Sequence, residues 1–163
     1  MGRPMTMGKI LAGAIVISAF VAGAALYYLQ VYAYYDEVSA DAPQGRIMLT
    51  SLASNQPETF LYKDFQGIDA ASSPLRFRAC FTTPQSQAML TESYVTMDDA
   101  VPLNGPGWFE CYNAQEIGAA LETGDAIAFL GQKDILDGID RVIAVFPDGR
   151  GFAWHQLNDK YKE

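Results

Sequence analysis

"GKILAGAIVISAFVAGAALYYLQVYAYYDE", from Gly8 to Glu37, decides how the rest of the chain is read. From Ile10 to Tyr35 it runs for 26 residues without an Asp, Glu, Lys, Arg or His. As a helix that run is about 39 Å long, against a membrane hydrocarbon core of roughly 30 Å. A cleavable secretory signal needs a basic start, an apolar segment of roughly 7–15 residues and a small-x-small cut. Arg3 and Lys9 supply the start, and Ala22-Gly23-Ala24 would pass as the cut. After Ala24, however, the chain stays apolar through "ALYYLQVYAYY". A second candidate cut, Val38-Ser39-Ala40, follows an apolar run too long for an ordinary signal. The stretch therefore reads as a retained membrane span over residues 10–35, with a cleaved signal as the alternative.

Charge sets the orientation. Arg3 and Lys9 precede the span, and Asp36 and Glu37 follow it at once. The positive-inside rule makes residues 1–9 a cytoplasmic tail and puts residues 36–163 on the far side. Tyr27, Tyr28, Tyr32, Tyr34 and Tyr35 gather at that far end, where an interfacial aromatic belt belongs. Within the span, Ala14, Ser18 and Ala22 recur every four residues, and Ala19 and Gly23 form a second small pair. Small side chains let another helix approach closely, and close packing drives helix association in lipid. The span is thus expected to join a membrane complex or a homo-oligomer. The plainer reading, that Ala and Gly are simply common in membrane helices, stays open.

All 19 acidic residues follow the span, against nine of the 11 basic ones, so the outer part carries a net charge of about −10. Such a surface is a poor nucleic-acid binder, because phosphate contacts need Lys and Arg patches. It suits a cationic partner face, although solubility alone explains it as well. Cys80 and Cys111 are 31 residues apart with no CxxC and no adjacent His. Outside the cytoplasm such a pair is most simply a disulfide, which closes a loop contributing roughly 3–4 kcal/mol.

The polar "DEVSADAPQG" (36–45) reads as a linker, and residues 46–163 as one domain. Strands are expected at Arg46–Ala53 and Glu58–Phe65. In "LRFRACF" the alternation puts Leu75, Phe77, Ala79 and Phe81 on a buried face, and Arg76, Arg78 and Cys80 on the other. A short helix near Gln85–Leu90 and a strand near Ser93–Met97 are both compatible with the middle. The clearest helix outside the span is "NAQEIGAALETG", with Asn113 as N-cap, Glu116 completing a capping box and Gly124 closing it. "DAIAFLG" reads as a strand, and "RVIAVFPDGRGFAWHQL" as a hairpin turned at Pro147-Asp148-Gly149. The expected class is α+β: one N-terminal transmembrane helix, then an antiparallel sheet with one or two short helices.

No phosphate-cradling glycine loop, HExxH or GxSxG occurs, and no catalytic, cofactor-binding or metal site is expected. His155 is the only histidine and reads first as a packing residue at a strand end. Asp134, Asp137 and Asp140 come every third residue, whereas a calcium loop wants every second, and they read as a solvated turn. Arg76 and Arg78 could fork an anion, and Trp108 and Phe109 in "GPGWFECY" could present aromatics. Together with His155 these four residues form the candidate binding surface. The competing reading pairs the arginines with the domain's own acids and caps the core with the aromatics.

The opening stretch, taken with the closing "WHQLN" and "KY", resembles a domain-of-unknown-function family of small single-span proteins from Rhodobacter-type alphaproteobacteria. The resemblance implies a Gram-negative inner membrane and a periplasmic domain, and assigns no activity and no site residues. The expectation is a non-enzymatic accessory or assembly subunit of an inner-membrane complex, respiratory or photosynthetic in such bacteria. The alternative is a tethered periplasmic domain that binds a small molecule or envelope ligand.

Overall fold

The computed structural model describes residues 6–161. The first five residues of the expected tail, Arg3 among them, lie outside the described residues. The chain divides into two units, one ending at Tyr34 and the other beginning at Tyr35. The first is helix α1 (Met7–Tyr28), which passes into a π-helical turn at Leu29–Ala33. It has no proline and no internal charge after Lys9, so nothing in it breaks the helix or calls for water. None of its side chains is buried, and Met7–Ala33 is long and apolar enough to cross a membrane. The expected span ran to Tyr35, but the helical turns stop at Ala33 and Tyr35 packs with the second unit.

The second unit is α+β. Its strands are β1 (Asp36–Val38), β2 (Met48–Thr50), β3 (Pro57–Thr59), β4 (Lys63–Asp69), β5 (Arg78–Thr82), β6 (Ile127–Leu136), β7 (Ile139–Val145) and β8 (Arg150–Leu157). Helices α2 (Gln87–Ser93) and α3 (Ala114–Thr123) lie between β5 and β6 in the chain. Six strands form one sheet in the order β1-β4-β5-β8-β7-β6, with every neighbouring pair antiparallel. β2 and β3 form a separate hairpin.

Cover on both faces explains the composition of the central strands. Every residue of β7 is buried, as are the six residues Gly151–Gln156 of β8. A strand wet on one side would alternate, whereas one covered on both reads as a continuous apolar run such as "VIAVF". Val142, Ala144, Phe152 and Trp154 enter a core with Ile117 and Ala120 of α3. Ile143, Val145 and Ala153 enter a second core with Ile47, Leu49 of β2 and Leu90 of α2. Phe81 lies across Gly151, where an added Cβ would stand 2.1 Å from its ring, so that crossing needs glycine.

Local chemistry sets several boundaries. Asn113 Oδ1 accepts from the backbone N–H of Gln115 and of Glu116, and Gly124 closes α3 at φ 79°. The Glu116 side chain pairs with Arg150 at 2.8 Å, so the reciprocal half of the expected capping box goes to a salt bridge. Three other expectations change. The supposed linker at 36–45 begins with β1, paired to Gly67–Asp69. The single strand at Glu58–Phe65 is two, β3 and β4, separated at Phe60–Tyr62. The turn at Asp137-Gly138 joins β6 to β7, and Asp140, which was expected in that solvated turn, is instead a buried residue of β7.

Candidate functional site

Arg78 opens β5 opposite Trp154 and is only 3 % exposed. Its guanidinium donates through Nε to the Leu103 carbonyl and through Nη2 to that of Asn104, both at 2.9 Å. Nη1 donates to the carbonyls of Leu75 and Phe77 at 2.7 and 2.6 Å. Burial pulls its pKa below the ordinary guanidinium value, partly offset by Tyr112, Tyr35 and Asp69. A guanidinium so engaged has no fork left for a ligand, and its work is to hold the loop at Leu103–Asn104 against the sheet. The expectation of a wet arginine face is thereby corrected: Arg78 and Cys80 are both buried, because that loop and Phe109–Tyr112 cover them. Arg76 is half-buried, with its guanidinium carbon 5.5 Å from the centre of the Tyr35 ring.

On the opposite face His155 is sealed at 3 % exposure. Its Nδ1 lies 2.7 Å from the Pro74 carbonyl and its Nε2 lies 3.1 Å from Arg141 Nε. The arginine can only donate, so Nε2 accepts and Nδ1 carries the proton, which fixes the tautomer. The ring stacks on Phe77 at 4.9 Å, and the Arg141 guanidinium lies 3.9 Å from the centre of the same ring. Burial, then the Arg141 charge, lowers the His155 pKa to about 4. Burial also lowers that of Arg141 to about 10, with Asp69 the chief opposing charge. His155 is therefore a packed, neutral imidazole, removed from the binding surface on which it was a candidate.

Trp108 and Phe109 have a different setting. The sulfurs of Cys80 and Cys111 stand at disulfide-bonding distance, with Cα atoms 6.3 Å apart, which ties this loop to the middle of the sheet. Phe109 is buried; Trp108 is half-buried, edge-on to Tyr35 at 5.8 Å. Trp108, Phe109 and Glu110 form one wall of a cleft of about 470 Å³, and Glu37, Gln66 and Ile68 on β1 and β4 form the other. Neither arginine nor His155 lines it. The predicted surface is thus split: the aromatics border an acidic cleft, while Arg78 and His155 are sealed on opposite faces of the sheet.

Sequence reasoning missed Arg141, Tyr35, Glu37 and Glu110. Arg141 gave no signal, standing in a strand that otherwise reads as apolar core. Tyr35 was hidden by the reading of residues 10–35 as the span with an aromatic belt at its end, and Glu37 by the reading of residues 36–45 as a linker. On α1, Ala14, Ser18, Ala22, Ala19 and Gly23 are all exposed, and the Ser18 hydroxyl donates to the Ile15 carbonyl at 2.9 Å. That bond satisfies the hydroxyl inside the helix and leaves a surface suited to lipid or to another helix. Among the described residues no group of three His, Cys, Asp or Glu side chains is placed to hold a metal ion.

Residues 47–163 match DUF6446, a family of unknown function, and the chain belongs to that family. No curated protein and no solved structure matches the chain.

Proposed function

We propose that this DUF6446 member is a non-enzymatic accessory or assembly subunit of a membrane protein complex, held by α1 with its acidic domain outside the cytoplasm. The observation that carries this reading is α1 itself: with the helical turn after it, about 40 Å of apolar helix in which no described side chain is buried. Lipid and a partner helix are the natural cover, and the small residues from Ala14 to Gly23 offer a close approach. Lys9 in the first turn of α1 and Asp36 and Glu37 after it favour a cytoplasmic start and a far-side domain. A cysteine pair at bonding distance fits a compartment outside the reducing cytoplasm. In the Rhodobacter-type alphaproteobacteria to which the resemblance points, that compartment is the periplasm, and a respiratory or photosynthetic complex is the natural host.

The test is affinity purification of a C-terminally tagged chain from native membranes in mild detergent, with intact-mass measurement. The expected result is an uncut chain in stoichiometric company with a larger membrane complex. A chain cut after Ala24 or Ala40, or an intact chain with no partner, overturns the proposal.

A further inference from the structure

We infer that the Cys80–Cys111 bond is a redox latch: an external thiol opens it at Cys111, and opening frees the loop at 105–112. The inference rests on the domain alone, so its failure leaves the reading of α1 untouched.

The two sulfurs differ in access. Cys80 lies within β5, in register with Gln66 of β4 on one side and Phe152 of β8 on the other, and is only 7 % exposed. Cys111 is half-buried and lines the cleft of about 470 Å³, which Cys80 does not. Exchange begins when a thiolate attacks one sulfur of the bond, and access decides which. Here that sulfur is Cys111 Sγ. The attacking thiolate forms a new S–S bond to it, the Cys80–Cys111 bond breaks, and Cys80 leaves as a thiolate. Cys80 then takes up a proton, in place of the one the attacking thiol gave to water. A dithiol completes the reaction: its second sulfur displaces Cys111, so the dithiol becomes a disulfide and the pair becomes two thiols.

The bond secures a stretch that little else fastens to the sheet. Upstream, Arg78 holds the carbonyls of Leu103 and Asn104; downstream, Asn113 caps α3. Between them the N–H of Phe109 donates to the Pro106 carbonyl at 3.0 Å, and that of Tyr112 to the Phe109 carbonyl at 3.3 Å. Both bonds close turns inside the loop. The closed position also carries a standing cost, because the Tyr112 hydroxyl is buried with no hydrogen-bond partner among the described residues. Water would satisfy that hydroxyl once the loop opened. Burial of the Phe109 and Tyr112 rings opposes opening, and the sulfur bond opposes it further. Loss of the bond therefore shifts the loop toward the open position. Trp108, Phe109 and Glu110 are one wall of the cleft, so opening also dismantles that wall.

The full chain in non-ionic detergent is treated with 2-mercaptoethanol, quenched with N-ethylmaleimide and mapped by peptide mass spectrometry. This thiol carries no acidic group, which matters because Glu37 and Glu110 also line the cleft and repel anionic thiols. The expected product carries mercaptoethanol on Cys111 and maleimide on Cys80, in roughly tenfold excess over the reverse. It should form at a rate that urea leaves unchanged below the unfolding transition. An even split, an adduct chiefly on Cys80, or reduction only through global unfolding overturns the latch. After full reduction, hydrogen exchange should rise at the amides of Phe109 and Tyr112. In the reduced Tyr112→Phe chain, which lacks the orphaned hydroxyl, that exchange should be roughly tenfold slower than in the reduced parent. Exchange unchanged by reduction, or equal in the two reduced chains, overturns the release of the loop.

Discussion

The two faces of the six-stranded sheet each bury one arginine, and they keep it in different ways. On the α3 face Arg78 donates to four backbone carbonyls, and the loop over it is also tied through Cys80 and Cys111. On the β2–β3 face Arg141 has a neutral histidine, the Arg46 carbonyl at 3.2 Å and the ring of Phe77. Neither arginine has a carboxylate at ion-pair distance among the described residues. A buried charge is tolerable when dipoles replace its hydration, and carbonyls do that in a way no change of pH can undo. The first face is therefore indifferent to acid and vulnerable to reductant, and the second is the reverse.

The sharpest way to break this comparison is to remove each arginine in turn. Arg78→Ala leaves four carbonyls short of a donor, and urea unfolding should show a loss of about 3–5 kcal/mol. Arg141→Ala should cost about half as much, because fewer bonds are lost; equal losses would collapse the distinction. Next comes the cysteine pair. Cys80→Ala with Cys111→Ala should cost roughly 3–4 kcal/mol. Hydrogen exchange should then rise in α3 and the Trp108 loop while β2 and β3 stay protected.

The third test is acid. Burial lowers the pKa of His155 in the folded chain to about 4, against the ordinary imidazole value of 6.5. Between those values the unfolded chain binds more protons, so the contribution of His155 is complete above about pH 6.5. It falls as the pH drops toward 4, by up to about 3 kcal/mol. Asp69 works against this, because burial raises its pKa and the folded chain takes up that proton earlier. His155→Gln should flatten the pH profile of stability from 6.5 to 4, and an unchanged slope would remove the histidine from the explanation. The smallest effect belongs to an arginine in water. Arg150, paired with Glu116 and Asp148 and 45 % exposed, should cost only about 0.5–1 kcal/mol on change to Gln.

Features written in short-range chemistry were legible beforehand. The Asn113 cap, the Gly124 stop and the Pro147-Asp148-Gly149 turn each depend on residues within a few positions of one another. The alternation of Phe77, Ala79 and Phe81 also placed one face of β5 correctly in a core. The other face was misjudged because exposure of Arg78 and Cys80 depends on a loop that begins some 20 residues later. β1 was missed for the same reason: two acids and a valine become a strand only when Gly67–Asp69 are there to pair with. The Asp137-Gly138 hairpin is a different case. Its turn dipeptide stood in the sequence and the reading of a solvated turn holds for Asp134 and Asp137, which are exposed, but Asp140 is buried, where Asn158 Nδ2 donates to it as well as to Asp134. The candidate site was half legible: the aromatics line a cleft, and the cations expected beside them do not.

The three residue pairs that join β1 to β4 also decide how the domain would respond to mechanical load. A pull transmitted along the chain from α1 meets this short edge strand first, where few bonds resist peeling. Once β1 is stripped away, residues as far as Cys80 can pay out as extended chain. The sulfur link then carries the tension straight across to Cys111, so the segment between them adds no length. Roughly 100 Å of extensible chain stays withheld for as long as the cysteines remain joined.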